Sequence, residues 1–206
     1  MSEFAPADAK TRRTEGGYAN NRADAGGETY AGIARHFWPH WPGWKLIDAA
    51  KSRADFPGCL KDNAELQQLV TAFYQTNFWS ANRLGEINDQ PLADWTYDHI
   101  VNAGARGTMW LQLAAGCTPD GDIGPKTIAA VNAADPGAIL SRCEDIAGAY
   151  RLDRAAKDPS QIQFLTSWLT RDGQPPEIIA IVRQAAADGH LDAKEVADLK
   201  AAMAAV

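Results

Sequence analysis

Between Thr11 and Trp44 the apolar positions keep no regular period. Gly16-Gly17 and Gly26-Gly27 interrupt this stretch, and Pro39 and Pro42 follow. Polar and aromatic residues fill the gaps, so these breakers dominate the local structure. The pattern predicts a short helix ending near Glu15–Gly16, then an irregular loop or small hairpin through Tyr30. A further short helix is expected to begin around Thr29–Ala34. From Asn63 the texture changes. Leu66, Leu69, Val70, Phe73 and Tyr74, with Phe78 beyond, recur at helical spacing and predict an amphipathic helix over Asn63–Phe78. Leu92, Trp95, Ile100 and Val101 mark a second helix, and Ala105–Ala115 a third that stops at Gly116. Thr127–Asn132, with Pro125 near its first turn, Ala138–Leu152 and Ile162–Arg171 complete the series. Gly173-Gln174-Pro175-Pro176 then breaks the chain, and Pro176–Ala187 and Asp192–Ala205 read as a helical hairpin. No alternating strand pair follows residue 60. The fold class is mainly α, with a small Gly-rich loop or hairpin lobe near the N-terminus.

The 206 residues are 46% hydrophobic and 22% charged, which excludes disordered, collagen-like and coiled-coil classes. No run approaches the roughly 18 apolar residues of a membrane span. The N-terminus lacks an apolar h-region, so no secretory signal peptide is expected. Cys59, Cys117 and Cys143 form no CxxC pair, which suits a reducing cytosol better than a disulfide framework. A net charge of −6 argues against nucleic acid as a partner. The charge is uneven. Residues 1–53 carry eight Lys/Arg against six Asp/Glu, and the rest carries 12 against 20. The mildly basic stretch is also the richest in Gly and Trp.

That stretch holds the candidate chemistry. Glu15, Asp24 and Glu28 place three carboxylates within 14 residues of glycine-rich chain that also carries Tyr18 and Tyr30 and leads to Trp38, Trp41 and Trp44. Glycosidic cleavage needs a protonated carboxyl for the leaving oxygen and a second group to stabilise or attack the oxocarbenium-like centre. A glutamate at a helix end beside apolar surface has its charged form disfavoured, which moves its pKa toward the operating pH. Tryptophan faces suit the C–H faces of pyranose rings. The competing reading is that carboxylates in such loops cap turns or stay solvated.

The order of the residues resembles glycoside hydrolase family 108, the phage endolysin and bacterial muramidase family. Glu15-Gly16-Gly17-Tyr18, Asp24, Gly26-Gly27-Glu28-Thr29 and Gly32-Ile33 carry the likeness. Further along, Phe73-Tyr74 through Phe78-Trp79 resembles the family's Tyr-Trp region. Ile87-Asn88-Asp89-Gln90, Asp98, Val101-Asn102-Ala103-Gly104, Leu111-Gln112 and Asp120–Thr127 resemble its C-terminal peptidoglycan-binding part, and Phe164–Arg171 its closing segment. Residues 9–14 are more polar than the family's first helix, and no proline adjoins Asp24. The resemblance implies a lysozyme-like fold and cleavage of the β-1,4 bond between N-acetylmuramic acid and N-acetylglucosamine. It implies Glu15 as general acid, Asp24 or Glu28 as the second catalytic group, and Thr29 as a water-positioning hydroxyl. Tyr18, Tyr30, Trp44, Asp98 and Asn102 become candidate substrate contacts. For Glu28 the alternative is an ion pair holding the glycine turn. For Tyr18 and Tyr30 it is closure of the small lobe's core, and for Asp98 and Asn102 a structural hydrogen bond.

Weaker signals read blandly. Asp120–Thr127 is either a saccharide or stem-peptide contact or a tight connection needed for folding. His36 and His40 have no acidic partner for zinc, and no nucleophile motif is present, so no metal or organic cofactor is expected. Asp188-Gly189-His190-Leu191-Asp192 reads as a turn with a helix cap. The expected organisation is a lysozyme-like part over 1–90, a helical part over 91–172 packed with it, and a hairpin over 173–206. The implied protein is a monomeric endolysin that acts on bacterial peptidoglycan without stable membrane insertion. It would accumulate in host cytoplasm until holin-dependent release. A lytic transglycosylase, or a non-catalytic peptidoglycan-binding or secretion-accessory protein, is the alternative.

Overall fold

The computed structural model describes residues 1–12, 17–20 and 27–205. It is mainly helical and divides into two compact units, Ser2–Gly85 and Glu86–Val206 with Met1. No helix among the described residues is long and apolar enough to cross a membrane.

The first unit opens with α1 (Phe4–Thr11). A three-stranded antiparallel sheet follows, β1 (Tyr18–Asn20), β2 (Glu28–Tyr30) and β3 (Ile33–Ala34), in the order β1-β2-β3. The hairpin alternative is the one adopted. The helix expected around Thr29–Ala34 is absent, and the turn geometry explains why. Tyr30 pairs with Ile33 across a two-residue turn whose central residues, Ala31 and Gly32, have φ of 47° and 77°. Two consecutive left-handed residues close a tight hairpin and cannot propagate a right-handed helix. Ala31 pays a Cβ strain there, and the Tyr74 hydroxyl donates to its carbonyl at 2.7 Å.

Helix α2 (Gly43–Ala50) has no counterpart in the sequence pattern; Pro42 leads into it, and Trp44 and Ile47 are its buried face. Helix α3 (Ala64–Tyr74) is the predicted amphipathic helix. Asn63 caps it by accepting from the Leu66 amide at 3.0 Å, and Leu66, Val70 and Phe73 turn inward. It continues as one π-helical stretch over Gln75–Ser80.

The second unit is all helix. α4 (Gln90–Ala103) and α5 (Ala105–Ala114) meet at Gly104, whose φ of 60° breaks the run. A Cβ on Gly107 would stand 2.5 Å from the Ile100 nitrogen, so the close crossing of α5 on α4 requires glycine there. α6 (Pro125–Ala133) precedes α7 (Pro136–Lys157), the long central helix, and α8 (Ile162–Asp172) returns along it. α9 (Pro176–Ala185) and α10 (Ala193–Met203) form the expected C-terminal pair, the latter started by an Asp192–Glu195 capping box. Leu152 and Ala155 from α7 and Leu165 and Leu169 from α8 share one core with Ile178, Val182, Leu199 and Met203. The hairpin is part of this core. The Asp120–Asp122 turn is organised by Gln112, whose amide donates to the Asp120 carboxylate at 2.6 Å and accepts from the Gly121 amide at 2.9 Å.

Glu144 on α7 lies under the α8–α9 connection, where its carboxylate fills the space a Cβ on Gly173 would take. Burial, with the charge of Asp145, pushes its carboxyl up to about 7 from the usual 4.5. The folded state therefore keeps a proton that the unfolded chain releases between about pH 4.5 and 7. Stability from this group is present below that window and is lost as pH rises through it. Thermal melts of Glu144→Gln and wild type should coincide near pH 4.5, and the variant should be the more stable near pH 8. A constant offset at both pH values would contradict this.

Candidate functional site

The sheet of the first unit brings part of the predicted constellation together. Tyr18 pairs with Tyr30, and Asn20 with Glu28. Side chains alternate along a strand, so Tyr18, Glu28 and Tyr30 share one face and Thr29 lies on the other. On that other face Thr29 is flanked by its cross-strand partners Ala19 and Ala34, the smallest side chains the sheet carries.

Glu28 is the centre of the first face. Its Oε2 is 3.0 Å from Arg35 Nη1 and its Oε1 is 2.7 Å from Lys51 Nζ. The Tyr18 hydroxyl also donates to Oε1, at 2.9 Å. Asp48 on α2 meets the same cations, Arg35 Nη2 and Lys51 Nζ, each at 2.8 Å. Two carboxylates and two cations form a neutral cluster that ties β2 to α2. The Arg35 amide also donates to the Glu28 carbonyl at 2.8 Å, so backbone and side chain hold the same pair. The Arg35 guanidinium lies over the Trp44 ring, 4.6 Å from its centroid, and its buried Nε has no acceptor among the described residues. Its hydrogen bond to Asp48 raises the Arg35 pKa and lowers that of Asp48. Burial and the bond to Glu28 raise the Tyr18 hydroxyl.

Tyr30 and Trp44, expected against the saccharide, are core residues, 5% and 3% exposed. Gln67 Nε2 donates to the Tyr30 hydroxyl at 2.8 Å, and Trp44 Nε1 donates to the Trp38 carbonyl at 2.8 Å. Their polar atoms are thus spent inside the fold. Of the three tryptophans between residues 38 and 44, Trp41 is buried as well and Trp38 alone presents surface, 40% exposed, edge-on to Phe73. Tyr18 is half-buried and packs edge-on against Phe56. Glu15 and Asp24 lie outside the described residues.

Asp98 and Asn102 belong to α4 in the second unit. The Asn102 amide donates to the Asp98 backbone carbonyl at 2.7 Å, an exposed bond along the helix, and Asn102 also lines a cavity of about 360 Å³. Sequence reading missed Arg35, Asp48 and Lys51. Asp48 and Lys51 sit three apart at the end of a short helix that starts at Gly43, directly after Pro42, so no periodicity announces them.

Residues 9–104 match the family model described as Glycosyl hydrolase 108, and residues 106–172 match the Predicted Peptidoglycan domain. Among solved structures, the chain is similar to that titled "Structure of Brucella abortus SagA". It is 25% identical, with 93% of this chain and 97% of that chain covered and a TM-score of 0.56. No curated protein matches.

Removing the Glu28 charge would leave Arg35 and Lys51 facing each other with Asp48 as their shared counter-ion. Glu28→Gln should therefore cost about 1–3 kcal/mol in a denaturant titration. Unchanged stability would show that the ion cluster does not fasten the sheet.

Proposed function

We propose that this chain, whose residues 9–104 match the glycosyl hydrolase 108 model and whose residues 106–172 match the predicted peptidoglycan domain, is a glycoside hydrolase directed at peptidoglycan and, more narrowly, an N-acetylmuramidase. In this reading it hydrolyses the β-1,4 bond between N-acetylmuramic acid and N-acetylglucosamine. Glu15 protonates the departing glycosidic oxygen. Asp24 stabilises the oxocarbenium-like centre or activates the attacking water, and Thr29 orients that water through its hydroxyl.

The observation that carries the assignment is the hairpin itself. β1 and β2 pair through Asn20 and Glu28, which sets Glu28 and Thr29 on opposite faces of one strand. Asp24 is supported over Glu28 as the second group because both Glu28 oxygens are already engaged, one by Arg35 and the other by Lys51 and Tyr18. Glu28 then acts as a positioning residue that sets the strand on which Thr29 lies. Thr29 is supported by its place on the opposite face between two alanines, where a hydroxyl is not crowded by its cross-strand neighbours. Trp38 replaces Trp44 as the aromatic surface suited to a sugar face, on the strength of its exposure. Lysis of the cell, by an endolysin released from host cytoplasm through a holin, belongs to the same proposal and rests on the family resemblance.

The test is release of reducing ends from purified sacculi. Loss of a general acid typically lowers the rate about 10²–10⁴-fold. Glu15→Gln should fall by that amount with an unchanged thermal melt, and Asp24→Asn should fall comparably. Mass spectrometry of the wild-type digest should show products carrying an added water. Products lacking it, ending in 1,6-anhydromuramic acid, would assign the chain to lytic transglycosylation. Full activity in Glu15→Gln would overturn the mechanism.

A further inference from the structure

The second unit contains a buried polar cluster that the hydrolytic reading leaves unused. Asp172, at the end of α8, is wholly buried, as is His99 on α4, and Arg151 on α7 is 6% exposed. His99 Nε2 stands 3.0 Å from Asp172 Oδ1, while Arg151 donates through Nε at 3.2 Å and Nη2 at 3.3 Å to the same carboxylate. Trp95 Nε1 donates to the Asp172 carbonyl at 2.9 Å. Three helices are thereby cross-linked around one carboxylate. Arg151 is otherwise surrounded by aromatic rings, with Trp110 and Trp168 at 5.2 and 5.3 Å from its guanidinium carbon. Rings supply favourable electrostatics but no acceptor, so its Nη1 has no hydrogen-bond partner among the described residues.

That guanidinium borders the cavity of about 360 Å³ whose other walls are Asn102, Ser167, Trp168 and Arg171. Arg171 is only loosely held; its nearest carboxylate oxygen, on Asp98, is 3.9 Å away, beyond hydrogen-bond reach. A third cation, Arg154, lies over the outer Trp168 ring at 5.0 Å. Two guanidinium groups thus converge on one concave surface, one pre-oriented by a buried carboxylate and the other in a long ion pair with Asp98 that leaves its hydrogen-bond donors open to a closer acceptor. An amide, a hydroxyl and an indole face complete it. Planar guanidinium forks match a carboxylate in a bidentate manner, and the indole gives an apolar wall for the carbon skeleton that bears it.

We propose that this cavity is a binding site for a free carboxylate of the peptide portion of peptidoglycan, with Arg151 and Arg171 as its anchors and Trp168 as its wall. The proposal rests on the peptidoglycan-directed reading above and adds to it a peptide-recognising site distinct from the sheet of the first unit. Asp172 is a positioning residue here, because it fixes the plane of the Arg151 fork and contacts no ligand.

The test is calorimetric titration of the full chain with a soluble disaccharide-tetrapeptide muropeptide. The same muropeptide with its carboxyls amidated and inorganic phosphate serve as two further probes. Amidation should weaken binding about tenfold or more, as should Arg171→Gln, since each removes a charge-assisted hydrogen bond. Arg171 is partly exposed and makes no close ion pair, so its replacement should leave the thermal melt in place. Arg151→Gln breaks a buried pair, so a second probe is Trp168→Ala, which should weaken the muropeptide without restoring the amidated form. Equal binding of the free and amidated muropeptides, undiminished binding by Arg171→Gln, or phosphate binding as tightly as the muropeptide would each overturn the proposal. Reducing-end release by the wild type is measured separately, so failure of the hydrolase reading and failure of this site remain distinguishable.

Discussion

A single carboxylate organises the first unit. Glu28 stands on the central strand of a sheet only three strands wide, and short sheets of this kind are marginal without packing against a helix. The helix that supplies the support is α2, and the link is electrostatic as well as apolar. Arg35 and Lys51 reach Glu28 from β3's continuation and from the end of α2, while Asp48 balances their charge. The Glu28 side chain is 10% exposed and the two cations about a third exposed, so the cluster sits at the boundary of the core. There a lost partner is costly, whereas a pair in open solvent contributes little. Trp44 completes the arrangement from below by offering its ring to Arg35.

This has a consequence for the division of labour among the acidic residues. A carboxylate whose two oxygens are held by two cations and a phenol is well suited to fix a strand. The strand it fixes carries Thr29 on its opposite face. Structural and proposed chemical roles therefore alternate residue by residue along Glu28-Thr29-Tyr30, with Tyr30 returned to the core by Gln67. In the second unit Asp172 plays a comparable part around Arg151 and His99, again with a buried acceptor setting the orientation of a cation.

Much of the helical content was legible because it depends on periodicity. Leu66, Val70 and Phe73 announce α3, and Gly116 and Gly173 stop their helices with the left-handed backbone that glycine permits. The apolar spacing marks α7 over Ala138–Leu152, while its start rests on the Asp135 cap and Pro136 and its end runs five residues further to Lys157. What escaped were elements whose cause is not periodic. Helix α2 is too short, and too closely preceded by Pro39 and Pro42, to show a repeat. The β2–β3 turn uses Ala31 in a left-handed conformation, a choice the local sequence does not encode and a distant Tyr74 hydroxyl supports.

The same distinction holds at the candidate site. The order of Glu15, Asp24, Glu28 and Thr29 was readable from a family resemblance, yet which side chains face inward was not. Trp44 and Trp38 have equal claims as sugar platforms in sequence and opposite exposures in the fold. In the function proposed above, Glu28 acts through Arg35 and the strand they hold, without touching the reacting bond. A double-mutant cycle of Glu28→Gln and Arg35→Gln, read out as kcat/KM for reducing-end release, tests it directly. If the two residues work as one support, the double variant should lose no more activity than the worse single variant; losses that multiply would contradict the account.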